Sequence, residues 1–249
     1  MTSEESTPFE LEAFHLEPLP EPPTIESTMN VINDIISTAP SSWKLSTKQE
    51  QFSSEVYWKY IANELWYMRR SYHDPEAHPY EWFKRALVDD HFDNMVAYYE
   101  VVKSAQLAEE REGGWRGYLL QYGLPAPFAR RDIATWLYIT EPEESKHEFF
   151  IAAMPADLPL PEDATTRGVY SFFHRLRKTE DNKLEWIVAQ TSDMKGNLPR
   201  WVQNMSIPGI MQQDVIDFTN WMELNYGETP EDEETNATVE AKEATNEEE

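Results

Sequence analysis

The 249-residue chain contains no cysteine and carries a formal charge of −25. Disulfides and thiolate metal sites are therefore excluded, and the shortage of Lys and Arg argues against a phosphate-binding surface, so nucleic acid is not an expected partner. Much of the acidity is terminal: residues 1–26 hold seven acids and no Lys or Arg, residues 228–249 hold ten acids and one Lys, and the part between contributes only −9.

Acidic ends with few large apolar residues cannot offset their ordering entropy. Residues 1–23 and 228–249 are expected to be disordered tails around one domain over 24–227, long enough to bury a single core. No stretch approaches the ~20 apolar residues of a membrane span, and the N-terminus has no basic region followed by an apolar one. The expectation is a cytoplasmic monomer, with the sequons at Asn204 and Asn236 as chance matches.

Ile25, Met29, Ile32 and Ile36 recur at helical spacing and predict a short helix that Pro40 stops. Residues 52–60 and 64–72 are rich in Tyr, Trp, Phe and Val and predict two strands about a turn at Ala62–Asn63. Pro79 opens a helix to about His91, with Trp82, Phe83 and Leu87 on one side. Residues 94–110 fit helix or strand, and Trp115–Tyr122 reads as a strand after the Gly113–Gly114 turn. Strands follow at about 131–140, 147–154, 167–177 and 183–192. The Pro-rich loop 155–166 and the polar turn Thr179–Asn182 separate them. Gly196 to Pro199 ends the last strand and starts a helix, disturbed at Pro208–Gly209, that runs to Tyr226 with Gly227 as its stop.

Strands in series with segregated helices indicate an α+β fold with a curved antiparallel sheet. The run Phe149–Met154 is apolar on both faces, so each side of the sheet needs a cover. One long helix can cover part of one face, and a ligand could cover the rest.

Four landmarks between Leu124 and Leu224 resemble the START lipid-transfer family, in that family's order. They are Arg131–Asp132–Ile133 at a strand start, Thr166–Arg167–Gly168–Val169–Tyr170 after a loop, Ser192 to Trp201 as the junction into the last helix, and the helix through Trp221. Upstream, Trp66–Tyr67–Met68–Arg69–Arg70–Ser71–Tyr72–His73 and Trp82 resemble a fungal START-like branch of unassigned function. The resemblance implies a helix-grip fold around a lipid cavity, without cofactor or catalysis. At the junction, Gly196 permits a sharp reversal, Pro199 presets φ, and Trp201 is expected to pack the first helical turn onto the sheet. Arg131 and Asp132 fit a pair that pins a strand end.

Some family members carry a buried acid–Arg pair on the cavity strands. The matching positions here are Tyr118 and Leu137, so the expected cavity floor is apolar, with a phenol hydroxyl as its polar handle. Period-two geometry then sets Ile133, Thr135 and Leu137 on one face, and Tyr118, Leu120 and Tyr122 on another strand's equivalent face. With the helix stripe Met211, Val215, Phe218 and Met222, these ten are the expected lipid-binding residues; the same pattern also fits ordinary core. Burying that stripe stabilises by roughly 6–12 kcal/mol, at roughly 1.5–3 kcal/mol per side chain. The loop 155–166 is therefore expected to move more readily than the helix, with Pro208–Gly209 as a pivot.

There is no G-x-S-x-G elbow, phosphate loop or H-E-x-x-H helix. His73, His78 and His91 lie near acids but match no metal spacing, and their expected place is the surface. The partner expected is a lipid or other hydrophobic small molecule, with transient membrane contact. An enzyme acting on an apolar metabolite and a filled-core interaction scaffold remain alternatives.

Overall fold

The computed structural model describes residues 16–227 apart from 39, 40, 62, 90 and 144. Most of the expected tails (1–15 and 228–249), Pro40 and the turn residue Ala62 lie outside the described residues. Residues 16–23 are placed against the sheet: Leu19 forms a parallel bridge with Ala156, and its carbonyl accepts the Trp136 indole N–H at 2.9 Å.

Helix α1 (Ile25–Thr38) starts where the Thr24 hydroxyl accepts the Ser27 N–H at 3.2 Å. Three strands follow, β1 (Lys44–Gln49), β2 (Ser54–Ile61) and β3 (Glu64–His73), then α2 (Tyr80–Lys84) and α3 (His91–Tyr98). Strands β4 (Val102–Glu110), β5 (Arg116–Tyr122), β6 (Arg131–Thr140), β7 (Glu148–Pro155), β8 (Val169–Lys178) and β9 (Leu184–Asp193) lead into α4 (Arg200–Tyr226). The strands form one antiparallel sheet in the order β1-β2-β3-β9-β8-β7-β6-β5-β4. Pairing of β3 with β9 joins the first hairpin to the last strand. The curved sheet and long C-terminal helix are the expected helix-grip architecture.

Four readings are corrected or completed by this arrangement. The helix foreseen from Pro79 to His91 is split by a π turn at Arg85–Asp89, and the ambiguous 94–110 segment is the end of α3 followed by β4. Strand β1 was not foreseen, because its sequence KLSTKQ is an exposed, polar edge. His73, His78 and His91 are buried and not on the surface. His73 stacks on Phe52 with centroids 4.8 Å apart, His91 Nδ1 bonds the Leu87 carbonyl at 3.0 Å, and His78 Nε2 meets Glu223 Oε1 at 2.7 Å.

The two apolar faces of β7 have different covers. Phe149, Ile151 and Ala153 belong to a core with Ile207, Met211, Val215, Phe218 and Met222 of α4. Phe150, Ala152 and Met154 belong to a second core with Val31, Ile32, Ile35 and Ile36 of α1. The outer face is therefore covered by α1, where the sequence left room for a ligand. The loop 155–166 also packs on this side through Ala156 and Leu158.

Helix α4 runs unbroken through Pro208. Proline removes the N–H that would bond the carbonyl four residues back, here Asn204, and the Tyr67 hydroxyl donates to that carbonyl at 2.8 Å. The lost intrahelical bond is thus replaced from β3, and the helix continues without a break there.

Candidate functional site

The junction into α4 sets one end of the inner chamber. Asp193 Oδ1 accepts the Lys195 N–H at 2.9 Å, and Gly196 takes φ +63°. A Cβ on Gly196 would come within 3.1 Å of Thr166 and 3.2 Å of Arg131. Arg131 is fully buried and donates to the carbonyls of Ala129, Met194 and Lys195, so it ties the start of β6 to this turn. Asp132 accepts the Thr165 N–H at 3.1 Å, on the opposite side of the strand end. Trp201 does not pack onto the sheet as expected; it is 67% exposed. Gln203 performs the docking, accepting the Met194 N–H at 3.0 Å and donating to the Ser192 carbonyl at 3.0 Å.

Between α4 and the inner face of the sheet lies a cavity of about 440 Å³. Its walls come from β3, β8 and β9, from α3, and from the α4 residues Val202, Ile207, Asp214 and Phe218; the loop residues Leu124, Pro125 and Phe128 line one end. Most of this wall is aromatic or aliphatic, including Tyr98, Tyr99, Phe172 and Val188.

Of the ten residues foreseen, Tyr122 and Phe218 line the cavity. Leu120, Ile133, Leu137, Met211, Val215 and Met222 are buried in the inner core, with Tyr118 packed against it, and none of these seven lies in the wall. Thr135 is buried and spends its hydroxyl on the Met154 carbonyl at 3.0 Å. The foreseen faces do turn toward α4, but Met211, Val215 and Met222 are buried in the core and not in the wall. The loop 155–166 contributes nothing to the wall.

The cavity is not the apolar floor expected. Tyr118 and Leu137 indeed carry no charge, but Arg69 of β3 and Asp214 of α4 face the chamber from elsewhere. Arg69 is 2% exposed, lies over the Trp186 ring with its guanidinium 4.2 Å from the centroid, and donates from Nη1 to the Met211 carbonyl at 3.1 Å. Burial lowers its pKa to about 10, opposed by Asp214, so it stays charged at neutral pH. Asp214 is pushed up to about 7 by burial, against the pull of Arg69 and with repulsion from Asp217. His174, also in the wall, is held neutral by burial and by the nearby His91 and Arg69. Period two from Tyr67 would have aimed Arg69 inward, and Asp214 sits at helical spacing between Met211 and Phe218; those were the available signals.

Among the described residues, no cluster of three or more His, Asp or Glu side chains is placed to hold a metal. No described helix is long and apolar enough to cross a membrane.

Sheet, gripping helix and the cavity between them define a protein of the helix-grip class. Residues 66–222 match the family described as "Protein of unknown function (DUF3074)", and the chain belongs to that family. The fold is that of START domains. Human StAR-related lipid transfer protein 5 superposes with a TM-score of 0.67 at 13% identity, covering 81% of this chain and 97% of that one. Human STARD10 gives 0.66 at 15% identity, covering 83% and 82%. A STAR-related lipid transfer protein fragment from Xanthomonas axonopodis gives 0.58 at 13% identity, covering 73% and 98%. No curated protein matches the chain.

Proposed function

We propose that this protein binds a lipid or similar hydrophobic small molecule between α4 and the inner sheet face, for intracellular transfer or sensing, and performs no catalysis. The carrying observation is the interior cavity of about 440 Å³ with its largely apolar wall. That volume falls within the roughly 300–1,000 Å³ of small-molecule sites. The lipid transfer named for the similarly folded proteins supports the same reading. Of the ten foreseen residues, we assign ligand contact to Tyr122 and Phe218; Leu120, Ile133 and Leu137 back them.

The protein acts as a cytoplasmic monomer. Membrane contact is brief, through Trp201 and Met205, which are 67% and 75% exposed one helical turn apart beside the wall residues Val202 and Ser206. An enzyme acting on an apolar metabolite is the second reading, favoured by one observation, a carboxyl poised near pH 7 inside the chamber.

Native mass spectrometry of the full chain from a eukaryotic host is the test. The expected result is a co-purifying hydrophobic molecule at one per chain, recovered chemically unchanged. Bare polypeptide that takes up nothing from total-lipid vesicles would refute the carrier role, and recovery of a chemically altered molecule would favour the enzyme.

A further inference from the structure

The chamber contains a charged group whose hydrogen bonding is incomplete. Arg69 uses Nη1 on Met211, while its Nε and Nη2 find no acceptor among the described residues. Those two atoms are the side-on fork of the guanidinium, whose parallel N–H bonds match the two oxygens of a carboxylate or phosphate. A buried donor without an acceptor is destabilising, and a buried charged one more so. Asp214 faces the same space but forms no salt bridge with the fork among the described residues. Arg69 pairs with Val188 of β9, and Val188 pairs in turn with His174 of β8, which puts both basic side chains in one row across the sheet. His174 Nδ1 and the Trp186 indole nitrogen, both in the wall, also have no partner among the described residues.

Resting on the carrier reading, we propose that Arg69 is the headgroup anchor of the chamber and that its ligand is a single-chain acidic amphiphile. A carboxylate or phosphate sits on the Nε–Nη2 fork, and one apolar chain lies along Tyr98, Phe172 and Val188. The volume of about 440 Å³ is near the small end of the usual range and suits one chain better than two. An anion on Arg69 also stands near Asp214, so the chamber favours the acid while Asp214 holds its proton. A neutral alcohol brings one uncharged oxygen, which cannot meet both parallel N–H bonds in line as the two oxygens of an anion do.

The test titrates delipidated full-length protein, below the critical micelle concentration, with oleate, oleoyl lysophosphatidate and oleyl alcohol. One acid is expected to bind at least about tenfold tighter than the alcohol, as a charge-assisted bidentate pair requires. Preference for oleate assigns a carboxylate, and preference for the lysophosphatidate assigns a phosphate. Arg69→Gln and Arg69→Met should bring acid and alcohol within about twofold of each other while alcohol binding persists. The wild-type comparison needs no variant to fold. Equal binding of acids and alcohol by the wild type overturns the headgroup anchor and leaves the carrier role standing. A preference that survives either Arg69 variant overturns the assignment to Arg69. Failure of all three probes to bind overturns both proposals.

Discussion

Asp214→Asn should stabilise this protein at alkaline pH and leave it unchanged in acid. In the folded chain burial holds the carboxyl at about 7 against an ordinary 3.8. A carboxyl with a raised folded pKa binds its proton more tightly when folded. Its penalty is therefore absent below about pH 4, grows between pH 4 and 7, and is complete above 7. At 1.36 kcal/mol per pKa unit, moving from 3.8 to about 7 corresponds to about 4 kcal/mol. Solvent reaching the cavity screens the charge, so a gain of about 2–4 kcal/mol is expected at pH 8. Burial sets this value first, with Arg69 of β3 lowering it and Asp217 on the same helix raising it; Tyr98, Tyr99 and Tyr122 are the neighbouring phenols that feel the Asp214 charge. Asn keeps the size and polarity of the protonated acid, so the exchange isolates the ionisation.

Urea unfolding of parent and variant at pH 4, 6 and 8 checks this. The buried histidines give the parent an opposite slope in acid, but they cancel in the difference between the two proteins. A difference that stays flat from pH 4 to 8, or an Asn variant less stable than the parent at pH 8, would refute a desolvated carboxyl at Asp214.

Three other outcomes are expected. His91 is lowered to about 4 by burial, so the unfolded chain takes its proton near 6.5 and the native chain does not; stability should fall by about 3 kcal/mol between pH 6.5 and 4, and His91→Phe should blunt that fall in the same urea titration. Arg131→Met strands three carbonyls at the β6 end and the α4 junction, and should cost at least about 3 kcal/mol in chemical denaturation. Tyr67→Phe should cost about 1–2 kcal/mol alone but much less in a Pro208→Ala background, where the backbone N–H returns to the Asn204 carbonyl; a double-mutant cycle with no coupling would contradict the replacement of that bond from β3.

The sequence made the centre of the sheet legible and left its edges obscure. Strands β6 to β9 are buried on both faces or alternate cleanly, so their apolar runs announce them. At the edges, β1 and β4 read KLSTKQ and VKSAQLAEE, and their polar faces meet solvent. Local pattern there cannot separate strand from helix, and only pairing with β2 and β5 settles them. The foreseen helix stripe, from Met211 to Met222, is truly buried. Pattern alone cannot show that Met211, Val215 and Met222 fill the core while Ile207, Asp214 and Phe218 face the chamber, because the seating of a helix is set by tertiary contacts. Arg69 and Asp214 were missed for a simpler reason: apolar periodicity is built to find apolar residues, and the informative members of this wall are charged.

The position of the chamber follows from how the two faces of the sheet are covered. On the outer face α1 shares one core with the even-numbered side chains of β7, and the loop from Ala156 to Leu158 extends that core. On the inner face, Met211, Val215 and Met222 join the core, with α4 lying against β2 and β3. Tyr67 and Gln203 anchor its first half by hydrogen bonds to the Asn204 carbonyl and to Ser192. Helix α4 reaches β9 only at points such as Gln203 on Ser192 and Phe218 on Trp186, and the gap between these contacts opens where Phe172, His174 and Val188 stand. Arg69 lies at the border between the packed and open parts. Its Nη1 holds the helix through Met211, and its other two donors are left for whatever fills the space. The same side chain thus joins the grip to the guest, which is why replacing it should change selectivity more than it changes the fold.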